Sequence, residues 1–193
     1  MMIEDLIRKN RTCRRFYEHQ AVTEETLRSL VNLARLSASA ANRQPLRFIL
    51  SWEKRRNEAI FPCLTWAGYL TDWPGPAEGE RPAAYIIITG DTTITDNFWC
   101  DHGIASQSIL LGAREMGLAG CMIGGFNESK LRAALAVPDH LKIMLVLALG
   151  KPKETVVIDE VGQDNDIRYW RDATGVHHVP KRRLDDLIVN FSG

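Results

Sequence analysis

Two long apolar runs constrain the fold of this chain more than any other feature. They are AAYIIITG at 83–90 and LKIMLVLALG at 141–150. Their β-branched, continuously apolar character is typical of strands that are covered on both faces. Two shorter runs, RFILSW at 47–52 and AGCMIGG at 119–125, are predicted as further strands. The chain is therefore expected to build a sheet with both of its faces buried.

Helical spacing of apolar residues predicts helices around these strands. Residues 2–9 form a short amphipathic pattern, and a longer one follows Thr23, a predicted N-cap with two acidic residues after it. A third helix is predicted over 96–116, and a fourth opens at Asn127 and ends near Val137. The 96–116 segment carries small or apolar residues on nearly every side. Such a helix is buried in its own core or against a partner, and we favour a subunit interface.

Two segments lack a clear period. Residues 61–82, called here the tryptophan segment, are rich in Trp, Pro and Gly, and are either a binding lid or a piece of packed aromatics. Residues 151–180 are mostly polar, and HHVPKRRLDDLIV at 177–189 is predicted as a final helix. We therefore divide the chain into a core, 1–150, and a C-terminal arm and helix of the same domain, 151–193.

Composition excludes several classes of function. The chain has 193 residues with 24 basic and 24 acidic side chains, so no overall field favours nucleic acid or an anionic membrane. The apolar run at 143–150 is too short to span a bilayer, and the N-terminus does not resemble a signal peptide. The four cysteines are far apart in sequence, which predicts a reducing cytoplasm and no metal site.

Two basic clusters are candidates for binding an anion. RKNRTCRR at 8–15 and KRR at 181–183 offer guanidinium groups and a threonine hydroxyl, which suit the oxygens of a phosphate. Each cluster could equally be a solvated helix end. Neither a P-loop nor a GxGxxG motif accompanies them, so ATP and Rossmann-type dinucleotide binding are not predicted.

The stretch SASAANRQP at 37–45, called here the alanine-rich corner, joins a helix to a strand. Its small side chains would admit a flat ligand and its amides would bind one, although an ordinary polar turn explains it too. Gly124-Gly125 permits either close approach of a ligand or a left-handed turn with positive φ. His102 beside Asp101 is an acid/base pair or a packed residue. No nucleophile motif is present, and no catalytic side chain is assigned.

The order of these motifs resembles the FMN-dependent nitroreductase family. RTCRRF at 11–16, ARLSASAANRQP at 34–45, IASQSILLGAREMGLAGCMIGGF at 104–126, LALGKP at 147–152 and KRRLDDLI at 181–188 are similar to that family's motifs in the same sequence. The resemblance covers residues 3 to 190. It implies an α+β fold, in which an antiparallel-dominated sheet lies between helices, and an intertwined homodimer with FMN at its interface.

The resemblance also implies a set of cofactor-binding residues. The phosphate would be bound at the two basic clusters, the isoalloxazine ring would lie against the alanine-rich corner and near Gly124 and Gly125, and Gln107 would lie at the subunit interface. The complete set is Arg11, Thr12, Arg14, Ser39, Ala40, Asn42, Gln44, Gln107, Gly124, Gly125, Lys181 and Arg183.

Several residues depart from the family's usual pattern. Thr12 stands where Ser is common, Ala38 where Pro is usual, Ala41 where Gly is usual and Leu46 where Trp is usual. Gly124 replaces an acidic residue of some members. These changes keep FMN binding and leave the identity of the electron acceptor open.

The function that the resemblance implies is an oxidoreductase working in two half-reactions. NADH or NADPH would reduce the flavin, and a nitroaromatic, a quinone or another electron-poor acceptor would reoxidise it. Two alternatives stay open at this point. One is a specialised flavoenzyme of the same fold, for reductive dehalogenation or flavin fragmentation, and the other is a non-catalytic flavin-binding module.

Overall fold

A computed structural model describes residues 2–189 of the chain. Its central sheet is antiparallel, with the strand order β1-β2-β4-β3. The strands are β1 Leu46–Ser51, β2 Ala84–Asp91, β3 Ala119–Ile123 and β4 Leu141–Gly150. All four strands predicted from the apolar runs are confirmed within a few residues. The α+β class with an antiparallel-dominated sheet is confirmed as well.

Alternate residues of β2 point into two different cores, and every residue of this strand is buried. Ile86 and Ile88 belong to one apolar cluster, together with Leu27 and Ile109. Tyr85 and Ile87 belong to a second cluster on the other face of the sheet. The expectation that the long apolar runs are covered on both faces is therefore confirmed.

Among residues 2–189, five α-helices surround the sheet. They are α1 Ile3–Lys9, α2 Glu24–Arg35, α3 Lys54–Ile60, α4 Asp101–Glu115 and α5 Glu128–Leu135. The predicted caps are confirmed: the Thr23 hydroxyl accepts from the Thr26 amide, and the Asn127 side chain accepts from the Lys130 amide. Both bonds satisfy a free N–H of the first turn.

The predicted start of the third helix at residue 96 is wrong, because α4 begins at Asp101. Ahead of it, the Asn97 side chain accepts from the Trp99 amide at 3.0 Å, and Trp99 has a φ of 47°. A side chain that bonds the backbone two residues on makes a turn in place of a helical turn. Residues 96–100 therefore form the approach to α4 and not its first turns.

The small residues of α4 are explained in part by packing within the chain. A Cβ at Gly112 would lie 2.2 Å from Leu33 Cδ1, so glycine lets α4 approach α2 closely. The hydroxyls of Ser37 and Ser108 are 2.7 Å apart across the same contact. Gly103 and Gln107 are exposed on the other side of α4. That exposed side keeps the subunit-interface interpretation as a prediction.

The arm folds into a second, smaller sheet. Its strands are β5 Val156–Glu160, β6 Trp170–Arg171 and β7 His177–Lys181, in the order β5-β7-β6. The predicted final helix over 177–189 is wrong, because its first residues are β7, which pairs in parallel with β5. The end of the predicted arm, 190–193, lies outside the described residues. Pairing between distant segments decided this conformation, and local patterns do not report it.

No helix among residues 2–189 is long and apolar enough to cross a membrane. The four cysteines are free thiols; Cys13, Cys63 and Cys121 are buried and Cys100 is exposed. Burial is the main cause that raises the pKa of Cys13 to about 12 and that of Cys121 to about 11. These two thiols are therefore protonated at neutral pH.

Candidate functional site

A cavity of about 310 Å³ lies where the N-terminal segment meets α4, β3 and β7. We call it the arginine pocket. It gathers residues from both ends of the chain, which are far apart in sequence. Its lining residues are Asn10, Arg11, Thr12, Arg14, Gln107, Leu110, Met122, Tyr169, His177, Val179 and Lys181.

The electrostatics of the arginine pocket favour an anion. Arg11, Arg14 and Lys181 line it, and its lining includes no acidic side chain. The Arg11 Nε is buried and has no hydrogen-bond partner among the described residues. Burial lowers the pKa of Arg11, which is still charged at neutral pH. Three cations with an unsatisfied donor and a threonine hydroxyl match the needs of a phosphate group.

Arg14 is held firmly at the wall of this pocket. It is 9% exposed, and its Nη1 lies 3.2 Å from His177 Nε2. The guanidinium also lies over the Tyr169 ring, with Cζ 4.6 Å from the centroid. Because a guanidinium only donates, the His177 Nε2 must accept, which places the histidine proton on Nδ1. Burial, aided by the charge of Arg14, lowers the pKa of His177 to about 4.

Glu154 supports this arrangement from behind. Its side chain is fully buried, and one carboxylate oxygen accepts from the Arg14 backbone amide. The other accepts from Arg171 Nη2 at 3.0 Å. Four residues of this arrangement were not predicted from the sequence: Glu154, Tyr169, Arg171 and His177. All four belong to the polar arm, where no periodicity marks a residue as buried.

In the alanine-rich corner, the polar groups are bonded mainly to one another and to Asp101. The Ser39 hydroxyl donates to Asp101 Oδ2 at 2.6 Å, and the Ala40 amide donates to Asp101 Oδ1 at 3.0 Å. The Gln44 backbone amide donates to the Ser39 hydroxyl at 2.9 Å. Asp101 is 3% exposed and is the first residue of α4, where a carboxylate is favoured by the helix dipole.

The backbone of this corner is unusual. Ala41, Asn42 and Gln44 have φ values of 50°, 53° and 50°. That region favours glycine, which explains why a glycine at the position of Ala41 is usual in the family that the sequence resembles. The side-chain amide of Gln44, through Nε2, donates to the Asn42 backbone carbonyl at 3.2 Å and to the Asn42 side-chain oxygen at 3.1 Å. Both side chains remain exposed.

Gly124 and Gly125 follow β3 directly, and neither has a positive φ. The interpretation as a left-handed turn is therefore wrong. A Cβ at Gly124 would meet only Leu145 Cδ1, at 3.9 Å, so the space beside it is open. At Gly125, the carbonyl accepts from the Thr65 amide at 2.8 Å. Close approach of a ligand to Gly124 remains the prediction.

The structure brings together five of the twelve predicted site residues in the arginine pocket: Arg11, Thr12, Arg14, Gln107 and Lys181. The corner residues Ser39, Ala40, Asn42 and Gln44 do not line it, and neither do Gly124 and Gly125. Arg183 is exposed and pairs with Glu160 at 2.9 Å. The two basic clusters thus meet through Lys181, while the flavin-binding role of the whole set stays a prediction.

The pairing of His102 with Asp101 is not formed. The Asp101 carboxylate is bonded to the corner, and His102 Nδ1 is buried without a partner among the described residues. Within 2–189, no group of three or more His, Cys, Asp or Glu side chains could hold a metal ion. The candidate site therefore consists of the arginine pocket, the polar corner and the open glycine edge.

Solved structures show that this is the nitroreductase fold. A nitroreductase family protein of Clostridium novyi matches with a TM-score of 0.65 and 24% identity, covering 79% of this chain and 88% of that one. A provisionally named nitroreductase of Exiguobacterium sibiricum, solved in complex with FMN, matches with a TM-score of 0.67 and 17% identity. That match covers 80% of this chain and 90% of the other.

Sequence comparison gives the family. The Nitroreductase family profile matches residues 7–151, so the chain belongs to the nitroreductase family of oxidoreductases. Proteins provisionally named NADH dehydrogenase/NAD(P)H nitroreductase are similar to it. The one of Archaeoglobus fulgidus is 24% identical over 148 residues, which is 72% of this chain and 80% of the relative. The one of Methanothermobacter thermautotrophicus is 27% identical over 161 residues, which is 80% of this chain and 79% of the relative. Most of the arm lies beyond the family match.

Proposed function

We propose that the protein is an FMN-dependent oxidoreductase that uses NADH or NADPH to reduce nitroaromatics, quinones or related electron-poor molecules. The observation that carries this proposal is the arginine pocket, where three cations surround a cavity with no acidic side chain in its lining, and where Arg11 Nε has no partner in the described part of the chain. Family membership and an FMN-bound structural neighbour support it.

The residues of the arginine pocket fit the phosphate of FMN. Arg11, Arg14 and Lys181 would offset its charge, and the Thr12 hydroxyl would donate to one of its oxygens. The pocket excludes competing carboxylates, so the phosphate would not have to displace an internal ion pair. Arg183 stays a predicted phosphate ligand, although in the single chain its guanidinium is bonded to Glu160.

The ring system would be held by backbone and small side chains. The open space at Gly124 suits the edge of a flat ring, and Gly125 continues the same segment. At the corner, the Ser39 hydroxyl is already bonded on both sides, so its role is to hold the Ala40–Gln44 backbone in shape. The exposed Asn42 and Gln44 side chains would then supply hydrogen bonds to the ring.

A flavin supplies the redox chemistry when bound, since it accepts hydride from a nicotinamide and passes electrons to an acceptor. The chain's own residues bind and orient it, and we assign no catalytic acid or base. We also propose a homodimer. The exposed side of α4, with Gly103 and Gln107, and the exposed apolar residues of both ends, including Ile3 and Leu187, would lie at the subunit interface.

The test is an anaerobic titration of the purified protein. We expect FMN to bind, NADH or NADPH to bleach its absorbance, and menadione or nitrofurazone to restore it. A protein that fails to bind FMN would contradict the proposal. Bound FMN that neither nicotinamide can bleach would instead favour the non-catalytic flavin module, and bleaching without reoxidation by either acceptor would favour the specialised flavoenzyme.

A further inference from the structure

The tryptophan segment, 61–82, is anchored at its start to the glycine edge. Leu64 pairs with Phe126 in an antiparallel bridge, the Thr65 amide donates to the Gly125 carbonyl at 2.8 Å, and the Asn127 amide donates to the Cys63 carbonyl at 2.8 Å. Backbone bonds therefore hold the beginning of this segment next to the proposed ring site.

The middle of the same segment contacts the C-terminal arm through aromatic rings. The rings of Tyr69 and Tyr169 are 5.0 Å apart between centroids, and the Tyr69 amide donates to the Tyr169 hydroxyl at 3.4 Å. Trp73, four residues after Tyr69, contacts the arm as well: the Arg171 guanidinium lies 4.2 Å from the centroid of its ring. These are cation–π and ring contacts at a half-exposed surface, each contributing roughly 0.5–1.5 kcal/mol.

The two arm residues that make these contacts also reach the arginine pocket. Tyr169 lines the pocket and lies under the Arg14 guanidinium at 4.6 Å. Arg171 bonds Glu154 Oε2 at 3.0 Å, and the other oxygen of Glu154 accepts from the Arg14 amide. Two separate chains of contacts thus join Arg14 to the tryptophan segment, one through Tyr169 and one through Glu154 and Arg171.

We propose that Tyr169 and Arg171 are positioning residues that couple the arginine pocket to the tryptophan segment. When an anion occupies the pocket, it bonds Arg14 and restricts Arg14 and Tyr169 further, so Tyr69 and Trp73 gain a more rigid surface to pack on. The segment then stays closed against the arm. This inference rests on the proposed function, because the anion is taken to be the phosphate of FMN.

The coupling has a physical basis in the uneven packing of the segment. Trp66 is 8% exposed and is packed so tightly that a Cβ at Gly75 would lie 2.7 Å from its Cδ1. Tyr69, by contrast, is 52% exposed, and its ring packs against Tyr169 of the arm. The part between Trp66 and Trp73 therefore opens at low cost unless the arm holds it.

The experiment is limited proteolysis with chymotrypsin, following cleavage after Tyr69 by mass spectrometry, with and without saturating FMN. Proteolysis of a locally opened segment follows the population of the open form. We expect FMN to slow this cleavage roughly fivefold or more in the wild type. In Tyr169→Leu we expect FMN to bind at saturation without slowing the cleavage. In Trp73→Leu, which keeps the contact of Tyr69 with Tyr169, we expect FMN to slow the cleavage clearly less than in the wild type. Trp73→Leu leaves the buried Glu154–Arg171 pair intact and keeps an apolar side chain against the second cluster, so it tests the ring contact with Arg171.

Tyr17→Leu is the matched control, since Tyr17 is a half-exposed tyrosine outside the arginine pocket and the tryptophan segment. It should keep the full FMN protection. Saturating riboflavin, which lacks the phosphate, should protect less than FMN, and equal protection would overturn coupling through the pocket. Wild-type protein that binds FMN without any change in cleavage would overturn the coupling alone, whereas failure to bind FMN would overturn the proposed function.

Discussion

The arginine pocket and the alanine-rich corner are both rich in polar groups, yet they use them in opposite ways. In the pocket, the three cations have no acidic partner among the lining residues, and Arg11 Nε has no partner among the described residues. In the corner, the Ser39 hydroxyl and the Ala40 backbone amide both donate to the Asp101 carboxylate, and the Gln44 backbone amide donates to the Ser39 hydroxyl. Unsatisfied donors indicate a ligand, whereas satisfied donors indicate a scaffold.

This difference predicts that variants of the corner change stability, and that variants of the pocket change ligand binding. Asp101→Ala should have the largest effect. It removes the acceptor of two hydrogen bonds from the corner and leaves their donors unpaired, so we expect the free energy of unfolding to fall by about 3 kcal/mol. Chemical denaturation measures it. Asp96→Ala, at an exposed position nearby, should cost less than about 0.5 kcal/mol; equal losses would remove the distinction.

Arg14→Ala should act on the ligand. Loss of a charge-assisted hydrogen bond contributes roughly 1.5–3 kcal/mol, so we expect FMN to bind about ten- to a hundredfold more weakly. Riboflavin affinity should change little, because riboflavin carries no phosphate. Arg8→Ala is the control, a cation of the same cluster that is exposed and paired with Glu4. Unchanged FMN affinity in Arg14→Ala would place the phosphate elsewhere.

His177 makes the pocket side sensitive to acid. Its pKa in the folded protein is about 4, whereas the ordinary histidine value of 6.5 applies to the unfolded chain. As the pH falls, the unfolded state therefore takes up the proton before the folded state does. The stability that neutral His177 contributes is present above pH 6.5 and is lost as the pH falls towards 4. Between pH 6 and pH 5 the free energy of unfolding should drop by about 1 kcal/mol from this group.

The pH dependence is measured by denaturation at several pH values with and without the change His177→Gln. That variant should lose the extra slope between pH 6.5 and 4, whereas His19→Gln, at an exposed position, should keep it. A slope that survives in His177→Gln would mean that another group takes up the proton.

Gln44→Ala should have the smallest effect on stability. Its side-chain bonds are confined to Asn42 in the same exposed corner, so the free energy of unfolding should change by less than about 0.5 kcal/mol. FMN affinity is the informative measurement. A loss of severalfold would show that the corner also binds the ligand, as the proposed function requires, and an unchanged affinity would make it scaffold alone.

Sequence patterns predicted the core well and the arm poorly. The β2 and β4 runs were recognisable because burial on both faces leaves only apolar residues. Thr23 and Asn127 were recognisable because capping is local chemistry. The arm strands were not, since β5 and β7 are held by pairing with each other and by the contact of His177 in β7 with Arg14. Lys181 lines the arginine pocket together with residues of the first basic cluster, but it lies in a strand where a helix was predicted.

Within the site, the sequence indicated five of the residues that line the pocket but not what holds them. Glu154 is a lone acidic residue in a polar stretch, and nothing local distinguishes it from its exposed neighbours. Asp101 is adjacent to His102 in the sequence, which suggested a pair of side chains, whereas in the fold its carboxylate accepts hydrogen bonds from Ser39 and Ala40. Side-chain partners across distant segments are set by the tertiary fold, which a single sequence does not display.

The distribution of thiols offers a practical handle on the two regions. Cys100 is the exposed one, and it directly precedes Asp101, whereas the other three are buried. A maleimide fluorophore should therefore attach at this one position without mutagenesis and sit at the edge of the corner. Its emission would report on that neighbourhood while the absorbance of the flavin reports binding, so a single labelled sample could follow both in real time.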